Sequence, residues 1–199
     1  MSKASNSILR RIRAKKRGWV FTPKDFIDMA SRALIDVTLH RLHQQGIIRK
    51  LDRGIYDFPI THSKLGMLAP KPDTIAKAAA RKTGNVISPS GARAANQLGI
   101  DLQVPKELAS LSSGAKMKLT IGNHPISLRH SKYVGRNNLS KNTTNTINAL
   151  RHLGKENITP AIGRQLNKVL TTKDKRNLHK NIAKFPDWIA PIILQLKRK

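Results

Sequence analysis

Apolar residues change their period several times along the first sixty positions, and each change marks an element. Ile8, Leu9 and Ile12 have helical spacing inside a run of Arg10, Arg11, Arg13, Lys15, Lys16 and Arg17. This predicts an amphipathic helix of about three turns, stopped by Gly18. Trp19-Val20-Phe21 suffices only for a small strand. Thr22-Pro23-Lys24-Asp25 then has the form of a helix start: a capping hydroxyl, a proline at the first helical position and a carboxylate near the positive end of the dipole. Phe26, Ile27 and Met29 supply a short helix ending near Ala30-Ser31. Ser31 can cap a third helix running to Gln45, with Ile35, Leu39 and Leu42 on its core face and Gly46 as a left-handed C-cap. The other face carries Arg32, Asp36, His40 and His43, with small Ala33 beside them. Ile47–Leu51, the turn Asp52-Arg53-Gly54 and Ile55–Phe58, closed by Pro59, read as a β-hairpin.

The pattern loosens beyond Pro59. Thr61 to Pro72 is polar and ends in Pro70-Lys71-Pro72, as a linker would. Asp73 or Thr74 opens a helix through Ile75, Ala76, Ala79 and Ala80 to Gly84, followed by a short strand at Val86-Ile87. Ser88-Pro89-Ser90-Gly91 leads into an alanine-rich helix ending at Leu98-Gly99. A helix opening on Ser-Gly could hold a phosphate, but neither the phosphate-loop pattern nor the dinucleotide fingerprint is present, so tight helix packing is the preferred reading. Alternating runs at 115–121 and 126–130, separated by Gly122-Asn123-His124-Pro125, predict a hairpin with Lys116, Lys118, Arg129 and Lys132 on its polar side. From about Thr144 the chain reads as helices: around Ile147–Leu153, after Thr159-Pro160, near Lys173–Lys184 and from Pro186. The last carries Trp188, Ile189, Ile192, Ile193 and Leu196, a face that packs on the core or forms an interface, before a solvated Lys197-Arg198-Lys199 tail. The expected fold is α+β and mostly helical. A winged helix-turn-helix occupies 1–60 and a linker 61–72. A C-terminal domain, 73–199, holds a small α/β region with a β-hairpin and a helical tail.

Charge brings in a partner without locating it. The 199 residues include 38 Lys and Arg against 11 Asp and Glu, a formal net charge of +27. So large an excess repels itself in a compact chain, and a polyanion relieves it. Basic residues predominate in all three thirds, so position must come from pattern. No run approaches the roughly 18 apolar residues of a membrane span, and no leader or lipidation signal is recognised, so a soluble, unexported protein without membrane association is expected. The absence of cysteine excludes disulfides, Cys-ligated zinc and thiol catalysis. The acidic residues form no pair suited to two-metal or glycosidic chemistry, and no nucleophile elbow is present. Neither an enzyme nor a cofactor is expected.

Two short helices followed by a longer one match the helix-turn-helix plan, in which the last helix enters the major groove by its N-terminal end. Candidate base-reading residues are therefore Ser31, Arg32, Ala33, Asp36 and His40. A basic hairpin directly behind that helix is a wing, which places Arg49, Lys50 and Arg53 near phosphates or a minor groove, with Thr22 and Lys24 as further backbone contacts. Each has a plainer alternative. Arg32 and Asp36 can form an i, i+4 surface pair, and Asp36 repels phosphate unless it accepts from a cytosine amino group. His40 and His43 are one turn apart, but no nearby ligand completes a zinc site. RNA is the competing polyanion, since structured RNA suits a surface that is basic all over. Against it, aromatics make up only 4% of the chain, and Trp19, Phe21 and Tyr56 read as core.

Three stretches resemble the AbiEi-like antitoxins of bacterial type IV toxin–antitoxin systems. They are Gly18–Phe26 with Ser31-Arg32 and Leu39–Leu42, Gly46–Pro59, and Pro89–Gly99 with Gln103-Val104-Pro105. The likeness spans roughly residues 8–135. It implies a transcriptional autorepressor in the bacterial cytoplasm, associated with the nucleoid, that binds inverted repeats in its own promoter as double-stranded DNA, an arrangement compatible with a dimer. It also implies antagonism of a nucleotidyltransferase-like toxin without a stable complex, through the region from about Pro72 onward. A stand-alone regulator of a mobile element would share the same features.

Overall fold

The computed structural model describes residues 3–103, 109–121 and 124–197. The chain is α+β, with eight α-helices and several small sheets among the described residues. It divides into two compact units, residues 1–85 with 118–126 and residues 86–117 with 127–199.

The first unit is built on the helical period read in its sequence. Helix α1 (Lys3–Ala14) buries Ile8 and Ile12, and α2 (Arg32–Gln44) buries Ile35, Leu39 and Leu42. These five join Phe21, Phe26 and Ile48 in one core, with Trp19, Tyr56 and Phe58 packed against it. Phe21 stacks on Trp19 at 4.7 Å and meets Phe26 edge-on at 5.6 Å. Inside the contact of α1 with α2, the hydroxyls of Ser5 and Thr38 share a buried hydrogen bond of 3.0 Å. Helix α1 begins earlier than its apolar residues suggest and ends at Ala14, short of Gly18; Lys16 takes the left-handed conformation there, with φ 66°. The second predicted helix is a single 3-10 turn, Pro23–Phe26. Strands β1 (Val20–Phe21), β2 (Arg49–Asp52) and β3 (Ile55–Asp57) form an antiparallel sheet in the order β1-β3-β2, with Val20 opposite Asp57 and Lys50 opposite Tyr56. The β2–β3 turn is Arg53-Gly54, and Gly54 has φ 69°, which glycine adopts without a Cβ penalty.

Residues 61–72, expected as a linker, contain a second small hairpin. Strand β4 (Thr61–His62) pairs antiparallel with β5 (Gly66–Met67), and Leu68 N–H donates to Ile60 O at 2.8 Å to close its base. All residues from Thr61 to Met67 are exposed, so no alternation of apolar and polar positions marks the hairpin in the sequence. Helix α3 (Pro72–Thr83) starts on its proline and ends at Gly84, with φ 76°. It belongs to the first unit, although the sequence reading grouped it with the C-terminal region. The cause is a polar attachment: the Arg81 guanidinium donates to Val20 O at 2.9 Å and to the Asp25 carboxylate at 3.1 Å.

In the second unit, β6 (Ile87–Pro89) pairs antiparallel with β7 (Ala109–Ser112), and β7 pairs in parallel with β9 (His124–His130) at Ala109–Ser127 through Ser112–His130. Strand β8 (Met117–Ile121), whose residues from Lys118 on are grouped with the first unit, neighbours β9 in the sheet order β6-β7-β9-β8, which agrees with the predicted hairpin. Gly122 and Asn123 of its turn, Val104 and Pro105, and Arg198 and Lys199 of the tail lie outside the described residues. Helix α4 (Gly91–Gln97) packs on α5 (Lys141–Leu153). A Cβ on Gly91 would sit 2.5 Å from His152 Cβ and 2.7 Å from Asn148 O, so glycine there serves close helix packing. Helices α6 (Pro160–Val169), α7 (Thr172–Lys180) and α8 (Ala190–Leu194) complete the unit. Ile189, Ile192, Ile193 and Leu196 are buried with Ile147, Leu150, Leu166 and Leu178, so the apolar C-terminal face packs on the core.

Candidate nucleic-acid interface

Helix α2 is held from three directions, which fixes the face it leaves outside. Ser31 is its N-cap, its hydroxyl accepting from Leu34 N–H at 3.5 Å. The apolar stripe sits in the core, and Thr38 is tied to α1. Gln45 and Gly46 N–H groups close the last turn on the carbonyls of Arg41 and His43. Exposed residues from its cap to its last residue are Ser31, Arg32, Ala33, Asp36, Val37, His40, Arg41, His43 and Gln44. The predicted reading residues Ser31, Arg32, Ala33, Asp36 and His40 therefore share one solvent face. Val37 and Arg41 belong to the same face; the 3.6-residue period from Ala33 points to them, but the sequence reading did not include them. Arg32 Nε donates to Asp36 at 2.8 Å, so the surface pair weighed as an alternative exists in the structure.

Tyr56 adjoins this pair. Burial pushes its phenol up from the ordinary value, the Asp36 carboxylate adds to the rise, and the Arg32 guanidinium opposes it. Strand β3 thus brings a half-buried phenol within electrostatic reach of the helix face. Sequence reasoning assigned Tyr56 to the core alone, because only the register Lys50–Tyr56 sets its depth.

The structure divides the predicted backbone contacts. Lys50 and Arg53 on the β2–β3 hairpin are exposed, as is Lys24. The Arg53 carbonyl accepts from Lys82 Nζ, which fastens the turn to α3. Arg49 is turned inward: it makes a two-pronged pair with Asp57 at 2.8 and 3.1 Å and donates to Leu68 O at 2.8 Å. Asp57 is 1% exposed, so Arg49 is the counter-charge of a buried carboxylate rather than a side chain free for phosphate. Thr22 is fully buried, and its N–H and hydroxyl both donate to Asp25, at 2.8 and 3.1 Å. It closes the 3-10 turn and presents no surface to a ligand.

The remaining charges near this unit's start are partly matched. Arg11 donates to both oxygens of Asp28, at 2.7 and 2.6 Å; that hydrogen bond lowers the Asp28 carboxyl and raises the Arg11 guanidinium. His43 Nδ1 lies 3.4 Å from Ile48 O. Among the described residues no three His, Asp or Glu side chains gather as metal ligands, and no helix is long and apolar enough to cross a membrane.

Comparison with known proteins returns no match among curated proteins. A family model does match, over residues 7–178, a span that takes in α2, the β2–β3 and β4–β5 hairpins and most of the second unit. The chain belongs to the DUF6088 family, a family of unknown function.

Proposed function

We propose that this protein binds double-stranded DNA as a winged helix-turn-helix repressor, with α2 entering the major groove by its N-terminal end. One observation carries the reading. The five residues Ser31, Arg32, Ala33, Asp36 and His40 lie exposed on one face of a helix whose opposite face is locked in the core. The order α1, β1, 3-10 turn, α2, β2, β3, with the sheet order β1-β3-β2, supports it as the arrangement of a helix-turn-helix followed by a wing. In this reading Arg32 exchanges its pairing with Asp36 for a guanine edge, which presents two acceptors to a guanidinium fork. Lys50, Arg53 and Lys24 neutralise phosphates, and Thr22 and Arg49 leave the contact set for the reasons given above. The resemblance to AbiEi-like antitoxins extends the proposal to autorepression at inverted repeats in the bacterial cytoplasm and to antagonism of a nucleotidyltransferase-like toxin. It assigns no catalytic step and no cofactor.

The test is binding to the chain's own promoter, followed by fluorescence anisotropy across a salt series. Arg32→Ala lowers discrimination between operator and scrambled duplex by about 1–3 kcal/mol. Lys50→Ala weakens both duplexes alike and reduces the salt slope by about one. Unchanged binding in both variants, or preference for duplex RNA of the same length, overturns the reading.

A further inference from the structure

The second unit contains an open-mouthed cavity of about 380 Å³ where β7, β9, α4 and α5 meet. Among the described residues its chemistry is one-sided: Arg129 and His130 come from β9, Arg151 and His152 from α5, and Ser90 from the residue before α4, with no carboxylate among them. These side chains are far apart in sequence, and the parallel β7–β9 pairing with the α4–α5 contact brings them to one concavity.

Two details mark the cavity as more than a share of a basic surface. Asn148 lines it and is only 3% exposed, and its side-chain Nδ2 has no hydrogen-bond partner, while Oδ1 accepts from Ser131 at 3.1 Å. A buried amide N–H without an acceptor is uncommon in folded proteins and is a place for one to arrive. Two of the lining side chains are also steadied. The Arg151 guanidinium lies 5.2 Å from the Tyr133 ring centre, and His130 Nδ1 faces Gly114 O at 3.1 Å. Because a carbonyl only accepts, that contact places the proton on Nδ1 and leaves Nε2 as the ring's other polar atom.

We propose that this cavity binds a small phosphate ester of nucleotide size. A phosphate offers several acceptor oxygens for the imidazole and amide N–H groups and a charge that matches the Arg151 guanidinium. The volume falls within the usual range for a small-molecule site, and a concave wall suits a compact ligand better than a duplex backbone. The proposal is independent of the DNA reading, since none of these residues lies in the first unit.

The experiment follows the imidazole signals of His130 and His152 by NMR in the full chain during titration with a nucleoside monophosphate, inorganic phosphate or a short duplex. Saturable shifts confined to these two rings are expected, with the monophosphate at least tenfold tighter than inorganic phosphate. Arg151→Gln weakens that binding at least tenfold. Because Arg151 also stacks on Tyr133, Ala92→Phe is a second variant: it fills the cavity, leaves every charge in place and abolishes the shifts. A Lys168→Gln, Lys180→Gln double variant, which changes exposed charge outside the cavity, leaves affinity within twofold. The proposal is overturned if the monophosphate produces no saturable shift, if the lysine variant loses as much affinity as Arg151→Gln, or if only the duplex perturbs the two rings.

Discussion

Helices α2 and α5 are both 13 residues long, both begin on a serine cap and both carry an Arg and a His in the last turn, yet they do opposite things. Helix α2 buries four residues, Ile35, Thr38, Leu39 and Leu42, and turns the rest outward. Helix α5 buries every residue from Thr143 to Leu150, including Thr143, Thr144, Asn145, Thr146 and Asn148. The polar groups of α5 are mostly satisfied within the fold. Ser88 donates to Asn145 Oδ1 at 2.7 Å, Thr144 to Tyr133 O at 3.4 Å, and Thr146 to Asn142 O at 2.8 Å. The outer face of α2 is therefore open to solvent, with Arg32 and Asp36 paired on it, whereas the polar residues of α5 are structural, because a buried polar group without a partner costs more than its hydrogen bond returns. Asn148 Nδ2 is the exception on α5, and it lies at the cavity proposed above.

The largest expected effect lies in the apolar stripe of α2. Leu39→Ala empties a fully buried position in the core that α2 shares with Ile8, Ile12, Phe21 and Phe26, and should lower unfolding free energy by about 3 kcal/mol in urea titration. A loss under about 1 kcal/mol would mean that α2 is not seated as described. Next comes the polar interior of α5. Asn145→Ala strands the buried Ser88 hydroxyl and should cost about 2 kcal/mol, whereas His40→Ala on the open face of α2 should change stability by no more than about 0.5 kcal/mol. Equal effects would erase the contrast between the two helices.

A smaller loss than that of Asn145→Ala concerns Asp174, which joins the start of α7 to α5. Burial alone would raise its carboxyl, but hydrogen bonds from Thr171, Asn142 and Ser140 outweigh burial and hold it below the usual carboxylate value. Its stabilising contribution is complete above the unfolded-state value of about 3.9 and disappears as pH falls through the lower folded value. Asp174→Asn should cost about 1 kcal/mol at pH 7 and flatten the acid limb of the stability profile in denaturant titrations between pH 2 and 6. An acid limb identical to that of the unsubstituted chain would remove Asp174 as its source.

Much of the first unit was legible because its residues obey one period at a time. Ile35, Leu39 and Leu42 mark the buried side of α2, Ser31 and Gly46 mark its ends, and Asp52-Arg53-Gly54 marks the turn of the hairpin. The α5 helix was read only from Ile147 onward, because Lys141–Thr146 contains no apolar residue to set a phase. The β4–β5 hairpin was missed for the same reason. Among the candidate site residues, the exposed face of α2 followed from periodicity. Periodicity says nothing of pairing, however, so Arg49 and Thr22 read like surface residues until Asp57 and Asp25 were placed beside them.

By itself, then, the sequence determined the basic charge, the helix–hairpin order near the N-terminus and the inward stripes of α1 and α2, since these follow from side-chain type and spacing along the chain. Tertiary structure decided which polar groups meet. It paired Arg49 with Asp57, tied Arg81 to Val20 and Asp25, buried the threonines and asparagines of α5 and gathered Arg129, His130, Arg151 and His152 around one cavity. The reason is physical. Apolar burial is non-directional and leaves a periodic trace in one segment, whereas a hydrogen bond or ion pair requires two particular groups within about 3 Å, brought together from segments that carry no mark of each other.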